Sequence, residues 1–282
     1  MKDIKQRLLE NTELIESALS EYYSFDTVYS QELIDVQRYS LLNGGKRIRA
    51  FLILQCCEIL GGSTKAALPY ACAMEMMHAS SLVHDDLPCM DNDDYRRGKP
   101  SAHKQFNEAL AVLAGDALMT SAFETIVNNT YLPASINAKA VQILASHSGS
   151  SGMLAGQAID TEASLKRFDF PTLLKVHSLK TARLVCASVK LGCLAAGLDE
   201  QDERYSSLIE YAENVGLAFQ IVDDILDYEA GKRELNSFLS FMSLEEAKIH
   251  SKQLTQKAID RIRTFDNGTL EDLANYLILR TK

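Results

Sequence analysis

The chain has 282 residues, 46% of them hydrophobic, and its 38 acidic against 29 basic residues leave a formal net charge of −9. An all-helical domain with one large core suits that length, with two smaller domains as the alternative. The acidic balance argues against a nucleic-acid partner, so an anionic ligand would need local metals and basic side chains. Six cysteines, Cys56, Cys57, Cys72, Cys89, Cys186 and Cys193, lie mostly in apolar stretches without metal-type spacing. They read as reduced core residues of a cytoplasmic protein.

The amino-terminal MKDIKQRLLENTELIESAL mixes charges at helical spacing and lacks the apolar run of a signal peptide, which implies no secretion. After a second helical period comes a basic turn, Gly44, Gly45, Lys46, Arg47, Ile48 and Arg49, directly before FLILQCCEIL. Glycines let a backbone approach an anion, and the following helix would offer free N–H groups and a positive dipole end. Lys46 and Arg49 would add charge. Alone, such a turn is more often a solvated surface.

The densest chemistry lies in AMEMMHASSLVHDDLPCMDNDDYRRG, residues 73–98. It begins so apolar that a helix made of it must be buried, with Glu75 and His78 the sole ionisable groups before His84. Asp85, Asp86, Asp91, Asp93 and Asp94 then arrive together, followed by Arg96 and Arg97. Crowded carboxylates raise one another's pKa unless a cation neutralises them, and hard oxygen ligands suit Mg²⁺. The guanidiniums suit phosphate oxygens. On a straight helix Asp85 and Asp91 would point about 240° apart, but Pro88 breaks the helix and lets both reach one ion. The competing explanation is a solvated acidic loop after a core helix.

Further on, Gly115 and Asp116 read as structural, and GMLAGQAID, residues 152–160, brings small residues at four-residue spacing that suit close helix packing, with a buried Gln157. HSLKTARL sets Lys180 and Thr181 among apolar neighbours, where a lysine needs a partner or a path to solvent. In FQIVDDILDY, Asp223 and Asp227 stand at i and i+4 on one helix face, with Gln220 and Gly216 on the same stripe. The apolar stretches around 66–83 and 182–198 read as buried helices rather than membrane spans. No strand-like alternation is evident, and the five prolines fall mainly at joints between helices.

HDDLPCMDNDDYRRGKPSAHK together with FQIVDDILDY resembles the two aspartate-rich motifs of the trans-prenyl diphosphate synthases, the family of farnesyl and geranylgeranyl diphosphate synthases. The similarity runs over nearly the whole chain. It implies the all-α isoprenoid synthase fold, a single domain over residues 1–282. Roughly ten helices would surround a central cavity, with the two acidic helix ends facing each other. It implies roughly three Mg²⁺ ions per site, Mn²⁺ being the alternative, held by Asp85, Asp86, Asp91, Asp223, Asp224 and Asp227. Isopentenyl diphosphate would lie against Lys46, Arg49, His78 and Arg97, and an allylic diphosphate against Arg96 and Lys180. Lys180, Thr181 and Gln220 would steady the cation formed when the leaving group, neutralised through Asp85 and Asp223, departs. Gln220 counts among the substrate contacts as well. A homodimer is implied too.

Product length, by the same resemblance, depends on Ser80 and Ser81, about 6–7.5 Å down the helix before the aspartates. An aromatic residue matching Ser80 acts as a floor in many farnesyl-forming relatives. Serine permits a longer tail unless Met119, Phe123 or a partner subunit closes the cavity deeper down. Farnesyl diphosphate is the expected product and geranylgeranyl diphosphate the alternative. A terpene cyclase, against which GGKRIR and Arg97 argue, and a catalytically silent partner subunit complete the set. Two departures from the family pattern stand out. Ala50 replaces a common proline, which should affect helix entry more than phosphate contact. The segment YEAGKRELNSFLSFMSLEEA is shorter than the family's GKxxGKD loop, with Lys232 and Arg233 joining abruptly to the next helix and Leu235 near the place of the later lysine. Omission of a mobile loop from the sequence is the favoured explanation over a lost lid.

Overall fold

The computed structural model describes residues 3–22, 30–162, 166–232 and 234–279, and these are almost entirely helical. They fall into two compact units, Met1–Leu54 with Ser63–Val141 and Gln55–Gly62 with Gln142–Lys282. The expected all-α class holds.

Unit 1 contains α1 (Ile4–Tyr22), α2 (Gln31–Leu41), the start of α3 (Ile48–Ile59), α4 (Thr64–Asp85), a hairpin of β1 (Tyr95–Arg96) and β2 (Lys99–Pro100), α5 (Ala102–Gln105), α6 (Glu108–Val127) and the start of α7 (Ala134–Ser148). Helix α4 is its axis. It packs on α6, α1 and α2, and its residues Tyr70 through Met77 are all buried. A helix apolar on every side has no face to give to water, which is why it lies inside. Pro69 is no joint: it sits in the second turn of α4, removing one donor without ending the helix.

Among the described residues the hairpin is the one place where the expected lack of strands fails. Arg96 pairs with Lys99, leaving Arg97 and Gly98 as a two-residue turn. Both have positive φ, 53° and 76°, as a type I′ turn requires. Two-residue strands carry no alternating pattern, so periodicity does not reveal them.

Unit 2 contains the end of α3, the end of α7, α8 (Met153–Thr161), α9 (Phe170–His177), a π turn at Ser178–Ala182, α10 (Arg183–Ala195), α11 (Glu203–Glu229), a 3₁₀ turn at Phe238–Ser240, α12 (Leu244–Ile262) and α13 (Thr269–Ile278). Helix α11 packs on α12, α10 and the π turn. Its start is capped by the Asp202 side chain, and α12 opens on a capping box of Ser243 and Glu246. Gly216 lets α11 approach the π turn, since a Cβ there would stand 2.9 Å from the Ala182 Cα.

Candidate active site

In unit 1 the basic turn folds as a cradle. Gly44 and Gly45 have φ of 73° and 116°, open to glycine and costly to other residues. The Arg97 guanidinium donates to the Gly44 carbonyl, and a Cβ on Gly45 would stand 2.7 Å from its central carbon. Asn43 donates to the Arg96 carbonyl at 3.3 Å. The glycines therefore serve the close approach of Arg97 as well as the turn. Lys46 is exposed and Arg49 half-buried, with Arg49 Nη1 3.4 Å from His78 Nε2. A guanidinium only donates, so Nε2 accepts and the ring proton lies on Nδ1. Burial first, then Arg49, Arg97, Arg47 and Arg96, push the His78 pKa well below its usual value. The imidazole is neutral at physiological pH. Arg49, His78 and Arg97 are thus brought together, with Lys46 on the same turn.

The acidic end of α4 folds back on itself. Asp91 N–H donates to the Asp85 carbonyl at 2.9 Å and Asn92 N–H to the Leu87 carbonyl at 3.1 Å, so the turn through Pro88 brings the Asp91 backbone beside that of Asp85. Asp86 differs from both. It is 2% exposed, and Arg96 grips it through Nε at 2.9 and 3.3 Å and through Nη2. Arg96 also reaches Asp93 at 3.0 Å. Burial raises the Asp86 pKa, opposed by Arg96. Of the two chain-length residues, Ser80 is fully buried, and Ser81 is half-buried and donates to the His78 carbonyl at 2.8 Å.

Unit 2 builds a different arrangement on the π turn, a rare geometry that recurs at functional sites. Thr181 Oγ1 donates to Gln220 Oε1 at 2.9 Å, Gln220 Nε2 to Asp224 Oδ1 at 3.0 Å, and Phe238 N–H to Asp224 Oδ2 at 2.7 Å. Asp224 is buried, and desolvation raises its pKa to about 6, against the pull of the Phe238 N–H and Gln220. Asp223 and Asp227 are half-buried on α11, and Lys232 stands 3.6 Å from Asp227. Lys180 has its partner, Asp160, at 2.7 Å. Gly156 sets that contact up. A Cβ there would be 2.5 Å from the Lys180 backbone nitrogen, so only glycine lets α8 close on the π turn and carry Asp160, one turn on, to the ammonium.

Both carboxylate sets are oxygen-only donors of the kind Mg²⁺ takes. Among the described residues no three His, Cys, Asp or Glu side chains converge as a metal site. Mg²⁺ is held by one or two carboxylates with water and substrate phosphate filling the rest, so the oxygen donors of Asp85 and Asp91, carried on one backbone turn, suit it.

Several residues that matter here carry no signal in the sequence. Asp160 is one; Arg47 and Glu75 lie in the stretches singled out above, and what the sequence does not signal is their pairing, a buried ion pair at 3.3 Å. His84, which has no role in the motif, accounts for Gly115: a side chain there would strike the imidazole, whose Nε2 lies 3.1 Å from the Val112 carbonyl. All six cysteines are free and five are buried, with burial pushing the thiols of Cys186 and Cys193 up to about 12. The short segment after α11 is a hydrogen-bonded connection. Asn236 accepts from Phe168 N–H at 2.8 Å, and Leu235 is exposed. Arg233 lies outside the described residues.

The sequence model of the polyprenyl synthetase family matches residues 30–239. A dimethylallyltranstransferase of Fischerella ambigua is 40% identical over 290 residues, covering 97% of this chain and 83% of the relative. A farnesyl diphosphate synthase of Micrococcus luteus is 38% identical over 299 residues, covering 99% of this chain and 100% of the relative. The crystal structure of an FPP/GFPP synthase from Zymomonas mobilis superposes with a TM-score of 0.90 at 35% identity, covering 98% of each chain. The chain therefore belongs to the polyprenyl synthetase family, in its all-α fold. Within that family it is a short-chain trans-prenyltransferase. The two sequence alignments run longer than the chain itself, so those relatives carry residues that it lacks.

Proposed function

We propose that this enzyme condenses isopentenyl diphosphate with dimethylallyl or geranyl diphosphate to give farnesyl diphosphate, as one synthase domain acting as a cytoplasmic homodimer. The observation that carries the proposal is the meeting in unit 1 of Arg49, His78 and Arg97 at the glycine turn, beside the Asp85–Asp91 fold. Lys46, Arg49, Arg97 and the neutral His78 would hold the isopentenyl diphosphate head group. Arg96 and Lys180 would exchange part of their carboxylate pairing for the allylic diphosphate. Asp85, Asp91, Asp223 and Asp227 would hold Mg²⁺, which supplies charge neutralisation for the departing diphosphate. Asp86 and Asp224, which the resemblance also implies as ligands, are engaged by Arg96 and by neutral N–H donors. In this proposal they act mainly as struts.

Thr181 and Gln220 present oxygen dipoles where positive charge develops, and buried aliphatic surroundings keep water from the cation. The double bond of isopentenyl diphosphate attacks the allylic cation, and the proton lost in elimination passes to released diphosphate. Complete burial of Ser80 supports a short product, because neighbouring groups cover the position and leave no solvent-accessible channel beside it. Its small size also favours the second reading, a geranylgeranyl product. The homodimer is supported by α6, the one helix among the described residues long and apolar enough to cross a membrane by length and composition. It packs on α4 and α2 yet exposes Val112 and Leu113, an apolar face suited to a second copy.

Incubation of the purified protein with isopentenyl and dimethylallyl diphosphates and Mg²⁺, followed by product extraction, tests the assignment. Farnesyl diphosphate should dominate, and EDTA should abolish its formation. A dominant geranylgeranyl product would replace the first reading by the second, and no condensation with Mg²⁺ or Mn²⁺ would end both.

A further inference from the structure

Helices α3 and α4 are joined by two rungs one turn apart on α4. The outer rung is His78 to Arg49, 3.4 Å across. The inner rung is Glu75, three residues earlier and 3% exposed. Its Oε1 accepts the Ala50 N–H at 3.2 Å and its Oε2 accepts Arg47 Nη1 at 3.3 Å. Ala50 is the third residue of α3, whose amide has no partner inside the helix. Glu75 therefore acts as a helix cap delivered from another helix, with its negative charge at the positive end of the α3 dipole. Arg47, just before α3, is held from three sides. Besides Glu75 it donates to Glu16 on α1 at 3.0 Å and to the Leu41 carbonyl at the end of α2 at 2.6 Å.

The arrangement is costly in two ways, which argues for a purpose. Arg47 adopts φ 48°, a left-handed conformation unfavourable for a side-chain-bearing residue. A guanidinium and a carboxylate are both taken out of water, and such a pair is often no more stable than an apolar replacement. What the pair supplies is geometry. With Arg47 turned inward, Lys46 on one side is exposed and Arg49 on the other faces His78. The Ala50 amide fixes the height of α3 against α4.

We propose that Glu75 and Arg47 are positioning residues that set the spacing of the Lys46, Arg49 and His78 cradle for isopentenyl diphosphate, with the Ala50 amide as the second anchor. This rests on the assignment of that cradle under Proposed function. The dipole end of α3 is correspondingly less available to the ligand than the sequence implies, since Glu75 already takes the Ala50 amide. The head group depends on side-chain cations, and their placement depends on Glu75.

The test separates KM for isopentenyl diphosphate from KM for the allylic diphosphate and from melting temperature. E75Q should raise the first about tenfold while leaving the second within about twofold. E75D, which keeps the charge but withdraws the carboxylate by one methylene, should raise the first about threefold. The double variant R47M/E75Q neutralises both ends of the buried pair and should recover melting temperature with KM still raised. If KM recovers along with melting temperature, or both substrates shift equally, the positioning role is overturned. Should E75Q fail to fold, E75D decides alone. K46A run in parallel distinguishes the underlying assignment: an unchanged isopentenyl diphosphate KM in K46A overturns the cradle and the proposal with it. A raised KM in K46A, with E75Q and E75D unchanged, overturns the positioning role only.

Discussion

The two aspartate pairs are spelled alike and held differently. In unit 1 the second member, Asp86, is clamped by the Arg96 guanidinium. In unit 2 its counterpart, Asp224, accepts from the neutral donors Phe238 N–H and Gln220 Nε2. Both are buried, yet Asp224 is the one pushed up to about 6. A charged partner offsets desolvation of a carboxylate far better than neutral dipoles do. The comparison teaches that burial disfavours ionisation at both aspartates, and more strongly where only neutral donors oppose it.

The sharpest way to break this contrast is to neutralise each aspartate in turn, in EDTA so that bound metal does not enter. Asp86→Asn should leave Arg96 without its main partner and cost about 2 kcal/mol at pH 7, discounted from the buried-pair value because Arg96 is partly exposed. Urea unfolding would show it, and an unchanged midpoint would refute the clamp. Asp224→Asn should do the opposite. The folded-state pKa lies above the ordinary value, so this group's contribution is full below about pH 4 and is lost as pH rises through about 6. The asparagine variant should be no less stable than the parent at pH 7 and should lose that slope.

A third, smaller effect lies on the same 3₁₀ turn. His177 stacks on Phe238 with ring centroids 5.0 Å apart, and burial, the largest cause, lowers its pKa to about 4. Its contribution runs the other way: full above about 6.5 and lost as pH falls through about 4. Between those limits Asp224 and His177 oppose one another, one bonded to the Phe238 amide and the other stacked on its ring. The parent stability should be nearly flat there. D224N should then lose stability on acidification, and H177F should lose it as pH rises. Parallel slopes in the two variants would show that the two groups do not offset each other.

How much was legible beforehand varies by element. The buried α4, the turn that returns Asp91 to Asp85, and the pairing need of Lys180 all follow from local chemistry: an all-apolar run, a proline, a lone ammonium among apolar neighbours. The hairpin that aims Arg97 was illegible because strands of two residues have no period. Asp160 was illegible for another reason, since its value comes from Gly156 letting one backbone touch another. Pro69 was misplaced because position within a helix is set by packing as much as by local preference.

The sequence by itself determined the chemistry available to this protein, because residue type fixes charge, donor count and helical period. It placed two acidic clusters at the carboxyl ends of apolar helices and a basic glycine turn ahead of them. Tertiary structure alone decided which carboxylates are held by cations and which by neutral N–H groups, and that Glu75 rather than a local side chain caps α3. Those outcomes depend on distances between residues far apart in the chain, and desolvation and Coulomb attraction act through space.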